Sequence, residues 1–543
     1  MKRTFLKIFT TMLAAVMLFS VSACSKSESV GSDDPNSLDI YLLYKGYGDR
    51  WLKDVVEVFK TEEWVKQKYP KLKVNIAEDG EDARARRLLD NPGTNKFDIL
   101  FGVNLKPFET TDKIIDLTDK VYLADVPGEN VKVKDKLPQR TLENMRRTDA
   151  ATPKRADGND SYYAINYIDG AMGLLYNNTI LTEQLGLEVP LTTAQFMEIG
   201  KKIKESGYET NSLGRKNTVI LNYADNNYWE RAYTVWWAQY VGQQGYNDFF
   251  EGYDENVEMD KQMTVLDQKG RLEALTALSD VLSENANMVS DLSNHEAAQT
   301  AFLMGNGVFH FNGDYFTTEM ATEIDLLTKK NQNYDIKYMK MPIISDIINN
   351  LPDGSIKNDA ELRTVISKID SNLVWSESGL SDKVTKRDYE KISEARGVSL
   401  YSAASGQVAI VPSVSAATEL ACDFLRFMYT DKAIKTFSIS TKGIIFPSTY
   451  DFYSDAETYA KFDNISKSKL EITRGTDNFP FVRLQIEQNT KLGSAGLKAI
   501  YFRGKFENVF IKTGSAKMTP QQILDAEKNY WKLNWDVMVS KAQ

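Results

Sequence analysis

EAAQTAFLMGNGVFHFNGDYF, residues 296–316, is the stretch around which the chain is organised. Ala297, Ala298, Ala301, Phe302 and Met304 recur at helical spacing, and Gly305 and Gly307 stop the helix. Val308, Phe309 and Phe311 have strand character. Gly313-Asp314-Tyr315-Phe316 then sets a flexible backbone, a carboxylate and two rings at a strand end. Strand ends are where open α/β sheets hold ligands, although a plain buried helix–strand unit with a turn has the same pattern.

The segments before it alternate. Leu38–Tyr44 is an apolar run of the buried-strand kind, broken by Gly46 and Gly48. Asp49 is placed to cap a helix to about Tyr69, ended by Pro70. Residues 71–77 are a second strand, 81–90 a short helix and 97–103 a third strand. Strand, helix, strand, helix, strand predicts a parallel α/β sheet. Tyr162–Leu175 is apolar, extended and broken by Gly170 and Gly173, with the length of a strand passing between two lobes. Thr192 with Gln195 forms a capping box for a helix through Lys204. Trp229, Tyr233, Trp236 and Tyr240 share one helical face; the last three fit a core stripe, and Tyr228 with Trp229 fits an exposed platform at the helix start. A strand at 407–412, a helix capped by Ser415 and a last helix beginning at Thr519 complete the pattern. Residues 345–400 have mixed charge and little periodicity, which marks a probable insertion.

Length and composition limit the function. A chain of 543 residues is too long for one core, so at least two lobes are expected. Lys2, Arg3 and Lys7 precede the apolar run Met12–Phe19 and the small residues before Cys24, which reads as a signal peptide over 1–23. Residues 24–37 are a polar, flexible tether. No later segment approaches about 18 consecutive apolar residues. The formal net charge of −9 argues against nucleic acid as a partner. With two cysteines and two histidines, neither a disulfide framework, a metal site nor a histidine-based catalytic centre is expected, and no cofactor motif is present. Ser466-Lys467-Ser468-Lys469, Thr476-Asp477-Asn478 and Lys512-Thr513-Gly514 follow the order of a penicillin-binding site but stand far too close together for that fold.

YYAINYIDGAMGLLYNNTIL, LTTAQFMEIGKKIKESG, AAQTAFLMGNGVFHFNGDYF, SGQVAIVPSVSAATELACDFLRFM and MTPQQILDAEKNYWKLN, in that order, resemble the family 1 extracellular solute-binding proteins, the maltose-binding-like lipoproteins of ABC importers. The resemblance covers most of residues 38–543 except about 345–400. It implies a two-lobed periplasmic-binding-protein-like α/β fold, with lobe one at 38–165 plus 296–345 and lobe two at 166–295 plus 346–543. It implies a non-enzymatic, monomeric receptor that passes an oligosaccharide to ABC permease subunits. It implies export and a lipid on Cys24 that anchors the chain to the outer face of the cell membrane. Tyr315 stands where the family usually has tryptophan. Aromatic platforms with polar neighbours suit sugars, and the loops supply Tyr44, Tyr47, Asn104, Tyr167, Asp169, Tyr228, Trp229, Asp314, Tyr315 and Phe446 as candidate ligand contacts. A glycan-hydrolysing surface lipoprotein and a receptor for a non-sugar solute are the alternatives.

Overall fold

The computed structural model describes residues 31–543 other than 81, 92–93, 104–111, 147–154, 156, 159, 171, 213–214, 218–220, 223–229, 252–258, 286–294, 399–406, 445, 477, 480, 483, 485–489, 501–517 and 543. The signal peptide and Cys24 lie outside the described residues, as do Asn104, Tyr228 and Trp229.

The strands are β1 (Ser37–Leu43), β2 (Lys73–Asp79), β3 (Ile99–Val103), β4 (Ile165–Asn166), β5 (Met172–Asn177), β6 (Thr210–Ser212), β7 (Arg215–Asn217), β8 (Leu221–Asn222), β9 (Phe309–Gly313), β10 (Ile336–Met339) and β11 (Val408–Ile410). They form one sheet in the order β2-β1-β3-β11-β4 and a second in the order β10-β5-β9-β8, with β6 and β7 as a separate ribbon. β1 pairs parallel to β2 and β3, as a strand–helix–strand alternation requires. β11 is antiparallel to β3 and β4.

β1 is apolar without alternation because both of its faces are covered. Ile40 and Leu42 pack with Trp51, Val55 and Phe59 of the helix Arg50–Thr61, while Tyr41 and Leu43 pack on the opposite side with Phe97 and Leu100. Burial of each such side chain contributes about 2–3 kcal/mol. The helix is shorter than the sequence predicts: Glu62 is extended (ψ 129°), and a separate helix Glu63–Lys68 follows. Asp49 makes no cap and instead pairs with Lys53.

The second core surrounds the other sheet. Met172, Leu174 and Tyr176 of β5 pack with Phe196, Trp236 and Phe309. The helix Glu230–Glu251 turns its Tyr233, Trp236 and Tyr240 inward, as their spacing predicts. Thr192 caps the helix Thr193–Glu205 by accepting from the Gln195 backbone N–H. The C-terminal helix Pro520–Ala542 starts with a reciprocal capping box between Thr519 and Gln522 and buries Trp531 and Trp535. Its Glu527 meets Arg271 at 2.6 Å, both almost fully buried, and Arg271 also donates to the carbonyls of Leu266 and Ala499.

Two sheets with two cores make the two-lobed α/β fold. The expected division of the chain needs correction. β9 and β10 pair antiparallel with β5, so 296–345 belongs with the second sheet and not the first. β11 and the helices Thr418–Phe427 and Asp431–Ser440 belong with the first. Strand pairing is set by partners far away in sequence, which a local pattern does not reveal. Ser415, expected as a cap, donates to Asp98 Oδ1 at 2.6 Å instead. Residues 345–398 are ordered: the helices Asp359–Asp370 and Lys386–Gly397, capped by Asn358 and Thr385, bury Leu362, Val365, Ile366, Tyr389 and Ile392 in the second core.

The chain first passes between the cores after Ile168, at 169–170, between β4 and β5. Val398 lies in the second core and Gln407 beside Tyr167 in the first, so the chain returns between them. It passes again after Phe462, which packs in the first core, into the helix Asn464–Thr473, which lies against β10 of the second.

Candidate functional site

Parallel pairing brings the C-terminal ends of β1 and β2 together, and the loops there face the end of β9. The Tyr44 N–H donates to the Asp79 carbonyl at 3.1 Å, so the first residue past β1 stays tied to the last residue of β2. Tyr44 is 39% exposed and is the open aromatic at this edge. Its hydroxyl stands over Gly80, where a Cβ would lie 3.1 Å away. Arg84 pairs with Asp79 at 3.5 Å and lies over the Tyr41 ring.

The single turn Lys45–Tyr47 bends the chain back and puts the Tyr47 ring inside, only 5% exposed. There it meets Tyr315 of the other lobe edge-on, with ring centres 5.7 Å apart and planes at 88°. The Tyr47 hydroxyl and the Asp314 carboxylate share the space over Gly170, the middle of the crossing segment. A Cβ on Gly170 would lie 2.7 Å from Tyr47 Oη and 3.0 Å from Asp314 Oδ1. Gly46 is crowded in the same way: a Cβ there would lie 2.4 Å from Glu319 Oε1 and 3.2 Å from Tyr315 Cβ. Two glycines therefore let the lobes touch. Burial first, and then the charge of Asp314, hold the Tyr47 hydroxyl well above the usual tyrosine range.

Beneath this junction the floor is aromatic. Tyr167 stacks on Trp51 with centres 5.2 Å apart, meets Phe101 edge-on, and donates to Gln407 Oε1 at 3.0 Å. It is 2% exposed, and burial holds its hydroxyl far above the usual range. Asp169 is buried beside it in the crossing segment.

The structure thus brings together Tyr47, Asp314 and Tyr315 from the predicted set, with Tyr167 and Asp169 below and Tyr44 at the mouth. Phe446 is a correction. It is 2% exposed and lies between Tyr429 and Phe437, with ring centres 5.0 and 5.1 Å away, inside the first core. Its short apolar segment reads the same whether it lines a core or a cleft.

Glu319, Gly46, Gly170, Asp79 and Arg84 were not singled out by the sequence. Glu319 accepts from Gln299 Nε2 at 2.7 Å, and burial pushes its carboxyl up to about 7, with the charge of Glu296 adding to the effect. The only signal for it is its position one turn after Tyr315. His310 is a core residue, in contact with Asn312 and stacked on Phe302. Among the described residues, no cluster of three or more His, Cys, Asp or Glu is placed to hold a metal ion. Nor is any helix among them long and apolar enough to cross a membrane.

Rings, hydroxyls, carboxylates and one arginine form a surface that can stack on C–H faces and exchange hydrogen bonds with hydroxyl groups. Among the described residues its cations, Arg84 and Lys53, are already paired with the carboxylates of Asp79 and Glu78 rather than free for an anion.

Residues 45–435 match the family model described as bacterial extracellular solute-binding protein. No curated protein matches the chain. Among solved structures, a chitin oligosaccharide binding protein is 14% identical, with a TM-score of 0.54 over 92% of this chain and 100% of that one. A probable secreted solute-binding lipoprotein from Streptomyces coelicolor is 11% identical, with a TM-score of 0.53 over 92% and 100%. A maltose-bound protein of T. maritima is 12% identical, with a TM-score of 0.52 over 92% and 99%. At these identities the likeness is one of fold.

Proposed function

The chain belongs to the bacterial extracellular solute-binding proteins, and from that premise we propose that it captures a neutral carbohydrate, an oligosaccharide, at the junction of its two lobes and delivers it to the membrane subunits of an ABC importer. The observation that carries this reading is the convergence of Tyr47 from the first lobe with Asp314 and Tyr315 from the second over Gly170. Tyr44 at the mouth supplies an open ring. Asp79 and Arg84 stand at the same strand ends and give acceptors and donors for hydroxyl edges. Among the structures of like fold, one protein is named for chitin oligosaccharides and another holds maltose, which supports the sugar class.

The neutral charge follows from the site. Asp169, Asp314 and Glu319 crowd it, and among the described residues the cations close by are already paired or buried: Arg84 with Asp79, Lys53 with Asp49 and Glu78, and the buried Lys469. A sugar acid would meet net repulsion. Capture works by closure: lobe motion about the passages at 169–170 and after Phe462 encloses the solute. Nothing in this reading requires bond chemistry. The leader, with its small residues before Cys24, supports export and a lipid tether to the outer face of the cell membrane, with the chain acting as a monomer.

A thermal-shift screen of purified protein against monosaccharides, neutral oligosaccharides and uronic acids tests this. At a hundred times Kd a bound solute stabilises by about 2.7 kcal/mol. The expected result is a clear upward shift with at least one neutral oligosaccharide and none with uronic acids. A flat response to every sugar contradicts the reading.

A further inference from the structure

The turn that brings Asp314 to the lobe junction is held from behind by two side chains. Tyr338 of β10 donates its hydroxyl to the Gly313 carbonyl at 2.6 Å. Lys469, from the helix Asn464–Thr473, donates Nζ to the Asp314 carbonyl at 3.3 Å. Lys469 is 1% exposed and Asp314 is 0% exposed, so an amino group and a carboxyl group are buried close together. A buried charge is tolerated when an opposite charge lies near it.

The helix that carries Lys469 bridges the two lobes. Ser466 donates to the Lys442 carbonyl, just past the first-lobe helix Asp431–Ser440, and Ser468 accepts from the Tyr338 N–H on β10. Leu470 packs in the first core, while Ile465 packs beneath the second sheet. No feature of the serine- and lysine-rich helix is accounted for by penicillin-binding chemistry, and this bridging position gives its lysine a different use.

We propose that Lys469 is a positioning residue for the solute site: it fixes the Gly313–Tyr315 turn and balances the buried charge of Asp314, so that Asp314 faces Tyr47 across the junction as a carboxylate. The titratable groups around the pair are Tyr47 and, beyond it, Tyr167 from the first lobe, Glu319 with Glu296 behind it, Tyr338 on β10 and Asp463 at the start of the lysine's own helix. Burial pulls the Lys469 amine below the usual lysine range, and Asp314, then Asp463, oppose that. Lys469 is the cation among them. The bearing on solute capture rests on reading Asp314 as a ligand contact. The charge couple does not, and it is tested without sugar.

The test is a double-mutant cycle on melting temperature from pH 5 to 8, using Lys469→Met, Asp314→Asn and the double variant. Each single variant strands one buried charge and is expected to melt roughly 5–10 °C below the wild type. The double variant strands none and is expected to recover most of the loss. The two single variants should slope oppositely. A stranded carboxylate is relieved by taking up a proton, so the Lys469→Met deficit shrinks toward pH 5. A stranded ammonium is relieved by losing one, so the Asp314→Asn deficit shrinks toward pH 8. Additive losses, flat deficits across pH, or a double variant that fails to fold overturn the proposal. A sugar screen without hits leaves this cycle readable, so the two readings fail separately.

Discussion

Gly170→Ala adds one methyl group where the two lobes meet. Its carbon would lie 2.7 Å from Tyr47 Oη and 3.0 and 3.3 Å from the two carboxylate oxygens of Asp314. The first contact is too short for any fixed pair of atoms, and the second is tight. Overpacking of this kind costs about 1–3 kcal/mol. Tyr47 belongs to the first lobe and Asp314 to the second, so the penalty falls on the form in which both crowd the glycine. Lobes that separate relieve it. A penalty of 1–3 kcal/mol on the closed form alone lowers affinity by roughly 5–150-fold, because solute binding must restore that form. The assay is calorimetric titration with the neutral oligosaccharide that shifts the melting curve most, alongside small-angle scattering of the complex. The expected result is at least about fivefold weaker binding with a near-normal melting temperature. Adding Tyr47→Phe removes the 2.7 Å contact and should restore part of the affinity relative to Gly170→Ala alone. Unchanged affinity and an unchanged radius of gyration in Gly170→Ala would refute the closure geometry.

Glu319 makes stability depend on pH. Its carboxyl is raised from 4.5 in the unfolded chain to about 7 by burial, so the folded state favours the protonated form. Stability from that group is full below about pH 4.5 and is lost as pH rises to 7, by about 3 kcal/mol. Glu319→Gln should flatten the fall in melting temperature over that window, and an equally steep fall in the variant counts against it. Phe446→Ala should cost about 3–5 kcal/mol of stability, seen as a lower denaturation midpoint, while sugar affinity of the folded protein stays within about twofold. A selective loss of binding would return Phe446 to the cleft.

The elements were legible where chemistry is local. Apolar runs cut by Gly and Pro marked β1, β2 and β3, and Thr192 and Thr519 marked helix starts that the structure bears out. What was hidden was non-local. The run at 309–313 suits either sheet by composition, and only its pairing with β5 decides. In 345–398 the apolar set Leu362, Val365, Ile366 and Ile369 does follow a helical spacing, but abundant charge masked it. For the site, Tyr47, Asp314 and Tyr315 were legible as polar aromatic and acidic residues at strand ends. Phe446 misled because a ring among rings carries no sign of which side faces solvent. Glu319 was missed because a glutamate in a short helix normally faces water, and here the first lobe covers it at Gly46.

Tyr315 and Asp314 of one lobe and Tyr47 of the other are proposed to hold a neutral sugar between them. Titration of the best-shifting oligosaccharide into wild type and Tyr315→Ala tests it most directly. Saturable binding to the wild type is expected, with a loss of at least about tenfold in the variant at a similar melting temperature. Saturable binding of equal strength to both proteins would contradict it.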